Sequence, residues 1–143
     1  MKKIAGAALL LLASTTVSMA GDEGVVGRWK TEEDKSVVEI AKCDGEKYCG
    51  TILSLKEPND DNGNPKKDIN NQDKSKQDRP IVGMKILSRL EKTSPTTWED
   101  GDIYNPEDGN TYNAEMRLKD ANTLEVEGCF LFLCKSQVWK RDI

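Results

Sequence analysis

The sequence predicts a small all-β domain, folded as an antiparallel up-and-down β-barrel of about eight strands. Three observations favour this class. Valine, isoleucine, threonine and aromatic residues recur in short runs that are separated by turn signals. Within several runs, apolar and polar residues alternate with a period of two. No apolar pattern with a helical period extends over ten residues beyond residue 20.

Eight predicted strands follow one another along the chain. They cover residues 24–31, 36–43, 48–57, 81–90, 97–104, 111–119, 123–129 and 134–141. Asp34-Lys35 predicts a tight turn after the first strand, and Asp44-Gly45 predicts one after the second. Residues 105–109 and 120–122 are predicted hairpin loops.

The sixth strand carries the clearest alternation. Tyr112, Ala114, Met116 and Leu118 alternate with polar residues, which predicts one buried and one wet face. The seventh repeats the pattern with Leu124 and Val126.

Strands joined by short hairpins must remove their edges, and closure into a barrel does so; a two-sheet sandwich is the alternative. Large residues such as Ile86, Met116 and Leu124 would fill a narrow barrel. Inward-facing Ala114 and Gly128 would instead leave room for a ligand.

The N-terminus has the layout of a secretory signal peptide. Lys2 and Lys3 precede an uncharged run over residues 4–20, which ends in Ser18-Met19-Ala20. Its apolar centre is too short to span a bilayer, which disfavours a membrane-anchoring helix. We expect residues 1–20 to be cleaved, leaving residues 21–143 as one domain in the periplasm or secreted beyond it.

Charge excludes several classes of partner. Cleavage removes two lysines and no acid, so the mature domain carries 19 basic and 25 acidic residues and a net charge of -6. An acidic, interspersed surface disfavours binding to nucleic acid or to anionic lipid. The oligomeric state is left open.

Four cysteines lie in the mature part, at Cys43, Cys49, Cys129 and Cys134. In an oxidising compartment an even number predicts disulfides, and four cysteines allow three pairings. We predict Cys43–Cys49 and Cys129–Cys134, because each pair flanks one hairpin turn. Structural zinc is disfavoured by the wide spacing within each pair and by the absence of histidine.

Catalytic signatures are sparse. Without histidine there is no Ser-His-Asp or Cys-His arrangement, and paired cysteines leave no thiol nucleophile. Carboxylate pairs among Asp68, Asp73, Asp78 and Asp108 are the remaining acid–base option. The loop over residues 59–64 alternates oxygen ligands, but its glycine and Pro65 do not fit a calcium loop. The sequence therefore predicts a protein that is not an enzyme and has no cofactor or metal.

A long polar connection covers residues 58–80. It is either a mobile solvated loop or an ordered loop that caps one barrel mouth. Asp68, Asn71 and Arg79 could tie it down. The candidate loop or ligand site comprises Asp68, Asn71, Arg79, Trp98, Tyr104, Asp108 and Tyr112.

An apolar tip, residues Phe130-Leu131-Phe132-Leu133, lies between Cys129 and Cys134 where a hairpin turn normally carries glycine or asparagine. Either the tip folds over a barrel mouth and completes the core, or it stays exposed and anchors a partner or a membrane interface.

Several motifs resemble one bacterial family. They are Gly27-Arg28-Trp29, Cys49-Gly50-Thr51-Ile52, Asp68-Ile69-Asn70-Asn71, Arg79-Pro80-Ile81-Val82-Gly83, Gly101-Asp102-Ile103-Tyr104-Asn105-Pro106, Asp108-Gly109-Asn110-Thr111-Tyr112 and Gln137-Val138-Trp139-Lys140-Arg141. Their order resembles domain of unknown function 2147, over residues 24–141. The resemblance implies a lipocalin-like barrel in an exported protein and no established activity. Asn105 departs from the expected aspartate, which would weaken a cation site in that loop.

Gly-x-Trp on the first strand and Arg141 on the last are similar to the lipocalin signature. Trp29 and Arg141 become neighbours only if the barrel closes, where a cation–π contact would form.

These features favour a non-enzymatic binding module for a small apolar ligand inside the barrel, or for an envelope protein at its rim. A structural or stress-response protein with a solidly packed barrel is the alternative, and a carboxylate-based enzyme is the least favoured.

Overall fold

The computed structural model describes residues 24–143, which form a closed barrel of eight antiparallel strands. The strands are β1 (Gly27–Lys30), β2 (Ser36–Cys43), β3 (Lys47–Leu55), β4 (Lys85–Ser94), β5 (Thr97–Asn105), β6 (Asn110–Asp120), β7 (Thr123–Phe130) and β8 (Leu133–Arg141). Each strand pairs with its neighbour in sequence, and β8 pairs with β1. The predicted up-and-down barrel is confirmed. The expected signal peptide and the boundary at residue 21 lie outside the described residues.

Period-two alternation explains which side chains enter the barrel. On β6, Ala114 and Met116 are buried, while Tyr112 and Leu118 are half-buried. On β7, Leu124 and Val126 are buried. Two 3₁₀ turns, Glu32–Asp34 and Lys74–Lys76, interrupt the connections. No helix within residues 24–143 is long and apolar enough to cross a membrane.

The strand starts that differ most from the prediction are those of β1 and β4. β1 begins at Gly27, not at residue 24, and Gly27 has a φ of 132°, with Arg141 Nη1 only 2.8 Å from where a Cβ would stand. β4 begins at Lys85, not at residue 81, because Ile81 and Met84 close a turn through Gly83, whose φ is 93°. A glycine in the left-handed region marks a turn more strongly than the apolar residues around it mark a strand.

The barrel interior is filled with large side chains. All three tryptophans and Tyr48 are almost completely buried within one core cluster. Where glycines face inward, leucines occupy the space: a Cβ at Gly50 would contact Leu87 at 2.9 Å, and one at Gly101 would overlap Leu90. Leucine packing thus compensates for the missing side chains.

A row of small residues crosses three strands, with Gly101 beside Ala114 and Ala114 beside Gly128. This row does not open a cavity at Gly128, because a Cβ there would contact Ile103 at 3.3 Å. Of the two alternatives, the contacts at Gly128 favour the filled interior, since larger side chains on neighbouring strands reach across the small residues.

The antiparallel order gives the barrel two distinct ends. One end, called the rim below, carries the β1–β2, β3–β4, β5–β6 and β7–β8 connections. The other end, the base, carries the remaining three turns and both Gly24 and Arg141. The seam between β1 and β8 is short, with only Trp29 opposite Arg141 and Lys30 opposite Lys140.

Arg141 reinforces this seam. Its guanidinium lies 4.2 Å from the centroid of the Trp29 ring and donates to the carbonyls of Val26 at 3.0 Å, Gly24 at 2.7 Å and Ala121 at 2.9 Å. The two residues therefore meet as the closure hypothesis requires.

Both predicted cysteine pairs lie at disulfide distance. Cys129 and Cys134 are directly opposite each other, with their Cα atoms 4.1 Å apart. Cys43 and Cys49 are diagonal across the β2–β3 hairpin, with Cα atoms 5.9 Å apart. The strands continue one residue beyond the second pair on each side, to Phe130 and Leu133, whereas the predicted strands stop at the cysteines.

Peptide mapping without reductant tests this pairing. Trypsin cleaves after Lys42, Lys47 and Lys56, so a Cys43–Cys49 bond should join peptides 43–47 and 48–56. Tryptic peptide 120–135 holds both remaining cysteines, and chymotryptic cleavage after Phe130 or Phe132 should leave its two parts linked. Reduction should separate both products. A peptide joining residues 43–47 to residues 120–135 would contradict the pairing.

Candidate functional site

The β3–β4 connection is an ordered loop that folds back on itself. Lys67 and Pro80 form an isolated antiparallel bridge, and the backbone of Asp68 donates to the carbonyl of Arg79 at 2.9 Å. Ile81 and Met84 at its end belong to the barrel core. These contacts favour the ordered-loop interpretation over the mobile one, with the loop packed at part of the rim.

A buried carboxylate holds this loop in place. Asp68 has no exposed surface, and its Oδ1 accepts from the Tyr104 hydroxyl at 2.7 Å. Its Oδ2 accepts from Asn71 Nδ2 at 2.8 Å and from Arg79 Nη2 at 3.1 Å. This rim network of Asp68, Asn71, Arg79 and Tyr104 joins the loop to β5. A buried carboxylate that is paired with a cation and fully hydrogen-bonded avoids most of its desolvation penalty.

The network shifts the ionisation of both acidic members. Burial raises the pKa of Asp68, but hydrogen bonds from Asn71, Tyr104 and Arg79, together with the charge of Arg79, outweigh burial and hold the pKa below 3.8. Burial, followed by the hydrogen bond to Asp68, raises the pKa of Tyr104 to about 12. At neutral pH the carboxylate is therefore charged and the phenol is neutral.

A second set of contacts ties the loop to the β5–β6 hairpin. Asn70 Nδ2 donates to the carbonyls of Pro106 and Glu107, each at 3.1 Å. Gln72 Nε2 donates to Asn110 Oδ1 at 2.6 Å. A Cβ at Gly109, whose φ is 73°, would overlap the Asn70 carbonyl, so only glycine permits this approach.

Between the loop and the hairpin lies a rim pocket of about 440 Å³. It is lined by Asn71, Gln72, Asp73, Lys76, Arg79, Lys85, Tyr104, Gly109, Asn110 and Thr111. A second cavity of about 490 Å³ lies at the base, beside the Asp44–Lys47 turn. Both open to the surface, and neither is lined by the side chains of the barrel core other than Tyr48.

The structure brings together most of the predicted candidate residues. Asp108 accepts a hydrogen bond from the Tyr112 hydroxyl on the hairpin beside the pocket, and neither residue lines it. Trp98 does not belong to this site: it is fully buried, packs edge-to-face on Tyr48 and makes no hydrogen bond through Nε1 to residues 24–143. Trp98 is the second residue of β5, and its side chain packs in the barrel core.

Sequence reasoning missed several pocket residues, namely Gln72, Lys76, Lys85, Gly109, Asn110 and Thr111. The Asp-Gly pair at Asp108 and Gly109 was a visible turn signal. The hydrogen bond from Gln72 to Asn110, across 38 residues, had no local signal.

The oxygen atoms that the sequence offered as calcium or cation ligands accept backbone hydrogen bonds in turns instead. Asp60 Oδ1 accepts from the backbone of Asn62 and Asn64, each at 2.9 Å, and so stabilises a turn. Asn105 Oδ1 likewise accepts from the backbone of Glu107. Within residues 24–143, each group of three clustered metal-ligand types contains one of the cysteine pairs and a single acid. Disulfide-bonded sulfurs do not offer thiolate ligands.

The apolar tip projects into solvent. The exposed fractions of Phe130, Leu131, Phe132 and Leu133 are 60%, 75%, 86% and 67%. Leu131 adopts a φ of 56°, a conformation that large residues rarely occupy. The interpretation that the tip plugs the barrel is wrong, because the tip extends the β7–β8 hairpin away from the core.

Comparison with known proteins places these features in a family. No curated protein matches the chain. The solved structure of protein HP1028 from the human pathogen Helicobacter pylori, described as belonging to the lipocalin family, is similar with a TM-score of 0.73. The two are 25% identical, and the match covers 83% of each chain. The family model for uncharacterized proteins conserved in bacteria, DUF2147, matches residues 27–141. This protein therefore belongs to the DUF2147 family and has the lipocalin-like barrel that its motifs predicted.

Proposed function

We propose that this protein is a non-enzymatic binding module of the bacterial envelope, exported through a cleaved signal peptide, and that it holds its ligand at the rim pocket. The observation that carries the proposal is the contrast between a filled interior and an open, structured rim. Trp29, Trp98 and Trp139 fill the space in which a hollow barrel would hold an apolar ligand.

Export is supported by the bonding and by the leader. Two cysteine pairs at disulfide distance suit an oxidising compartment. The basic, apolar and small-residue regions of residues 1–20 suit secretion. The absence of histidine and of free thiols supports binding over catalysis.

The rim pocket has the features of a preformed site. Its volume falls within the range of about 300–1,000 Å³ that is usual for small-molecule sites. Its two walls are fixed to each other by the Asn70 and Gln72 hydrogen bonds. Preorganised walls lower the entropic cost of binding.

Native mass spectrometry of the protein purified from the envelope of its host tests the proposal. We expect a retained small molecule on the wild type and its loss from Thr111→Trp, which places an indole in the pocket. Thr93→Trp, on exposed β4 surface, is the matched control. A ligand that survives Thr111→Trp would argue for a different site, and a wild type without any adduct would argue against a ligand-carrying role.

The exposed apolar tip favours a second candidate function, attachment to an envelope protein. Phe132→Asp should leave the free energy of unfolding within about 0.5 kcal/mol, because the side chain is exposed. It should abolish recovery of a partner from envelope extract. Lys135→Asp, an exposed change on the same hairpin, is the control. A large loss of stability, or unchanged recovery, would contradict the attachment role.

A further inference from the structure

We infer that the rim pocket binds a small anion, an organic acid or a phosphate compound, through the cationic groups of Lys76, Arg79 and Lys85. This inference rests on the proposed function and specifies its ligand class. The shared chemistry is a group of anionic oxygens, which lysine and arginine recognise with charge-assisted hydrogen bonds.

The pocket lining has more positive than negative side chains, although the chain as a whole has more acidic than basic residues. The chain has 25 acidic and 21 basic residues, yet the pocket is lined by three cations and one acid, Asp73. The buried Asp68 behind it faces only Arg79 among the cations. Among the lining residues the cations therefore outnumber the acids by three to one, while Asp68 and Asp108 lie next to the pocket without lining it.

The two lysines are available to a ligand. Lys76 lies in the Lys74–Lys76 turn and Lys85 opens β4. Both are exposed, and neither makes an ion pair or a side-chain hydrogen bond to any other residue within 24–143. Some other lysines at the rim do have such a partner, such as Lys66 with Glu57 and Lys35 with Glu107. Within residues 24–143, Lys74 has none either, so Lys76 and Lys85 are distinguished by lining the pocket.

The acids beside the pocket are already engaged. Both oxygens of Asp68 accept hydrogen bonds within the rim network. Oδ1 of Asp73 accepts from the backbone and hydroxyl of Ser75 at 3.0 and 2.7 Å. Asp73 keeps its negative charge and interacts electrostatically with Lys76 and Arg79, so it offsets part of their positive charge. The bond to Asp68 orients Arg79, whose side chain remains 46% exposed.

A neutral hydroxyl completes the site. The Asn110 side chain is already engaged, since its Oδ1 accepts from Gln72 and its side chain also forms a hydrogen bond with Tyr112. Thr111 adds an exposed hydroxyl on the same wall. Three cations beside a neutral donor favour a compact anion over an apolar molecule.

The experiment titrates the full protein with citrate, inorganic phosphate and glucose at constant ionic strength, following backbone amide shifts by NMR. We expect both anions to shift the amides of Gln72, Asp73, Gly109, Asn110 and Thr111, and glucose to shift none of them. Stronger binding of citrate would point to organic acids, and stronger binding of phosphate would point to phosphate compounds.

Lys76→Gln and Lys85→Gln should each weaken anion binding about tenfold, since each removes a charged hydrogen bond. Lys74→Gln is the matched control, because Lys74 lies in the same turn but does not line the pocket. Equal weakening by Lys74→Gln would show nonspecific attraction and overturn the inference. Glucose binding without anion binding would also overturn it, while a retained ligand in native mass spectrometry would leave the proposed function intact.

Discussion

Trp29→Ala is expected to lower the free energy of unfolding by about 3–5 kcal/mol, the cost of emptying a large buried site. The Trp29 side chain is fully buried, and its Nε1 donates to the carbonyl of Val25 at 2.9 Å. Chemical denaturation measures the change. Trp29→Phe keeps an aromatic ring but loses this hydrogen bond and part of the buried volume, so it provides a milder variant if the alanine variant does not fold.

Arg141→Ala should cost about 2–3 kcal/mol, because three carbonyls lose a charged donor. A double-mutant cycle with Trp29 isolates the contact between guanidinium and indole, for which we expect about 0.5–2 kcal/mol. Lys135→Ala, exposed on the same strand, should change stability by less than about 0.5 kcal/mol. Strictly additive losses in the cycle would show that Arg141 does not stabilise the seam through Trp29.

Asp68→Asn should destabilise the protein by about 3 kcal/mol, as removal of one partner from a buried ion pair does. The amide can still accept from Tyr104, but its NH₂ group then faces the donors of Asn71 and Arg79. Hydrogen exchange should show the loss concentrated in residues 58–80. Asp78→Asn is the control, since that side chain is 99% exposed. An unchanged free energy of unfolding together with unchanged hydrogen exchange in residues 58–80 would show that the network does not anchor the loop.

The same carboxylate predicts an acid dependence of stability. Its folded pKa lies below the unfolded value of 3.8, so its contribution is complete above that value and is lost as the pH falls through the folded pKa. Stability should therefore decline in acid more steeply for the wild type than for Asp68→Asn. Parallel declines for the two proteins would contradict the lowered pKa.

Local patterns were sufficient to predict the strands. Ala114, Met116, Leu124 and Val126 alternate with polar neighbours, and alternation within one strand does not depend on distant residues. The start of β4 was predicted too early because Ile81 and Val82 are apolar, whereas the chain turns at Gly83. The position of a turn depends on the backbone φ of one residue, and the residue types around it do not determine that angle.

The candidate site was predictable only in part. Asp68, Asn71 and Arg79 lie in one loop, and their residue types indicated that they could fix it. The participation of Tyr104 depends on a contact with Asp68 across 36 residues, and the two walls of the pocket are joined by a hydrogen bond from Gln72 across 38 residues. No local pattern encodes either contact. The exposed tip was left open between two interpretations because exposure depends on where its hairpin points.

The short β1–β8 seam has a consequence for the order of folding. Every other strand pair joins neighbours in sequence, whereas Arg141 reaches Val26 across 115 residues. Loop-closure entropy opposes such a contact until the intervening hairpins have shortened the effective loop. We therefore expect the seven hairpin contacts to form first and the seam last. Variants of Arg141 should then accelerate unfolding while leaving the refolding rate nearly unchanged.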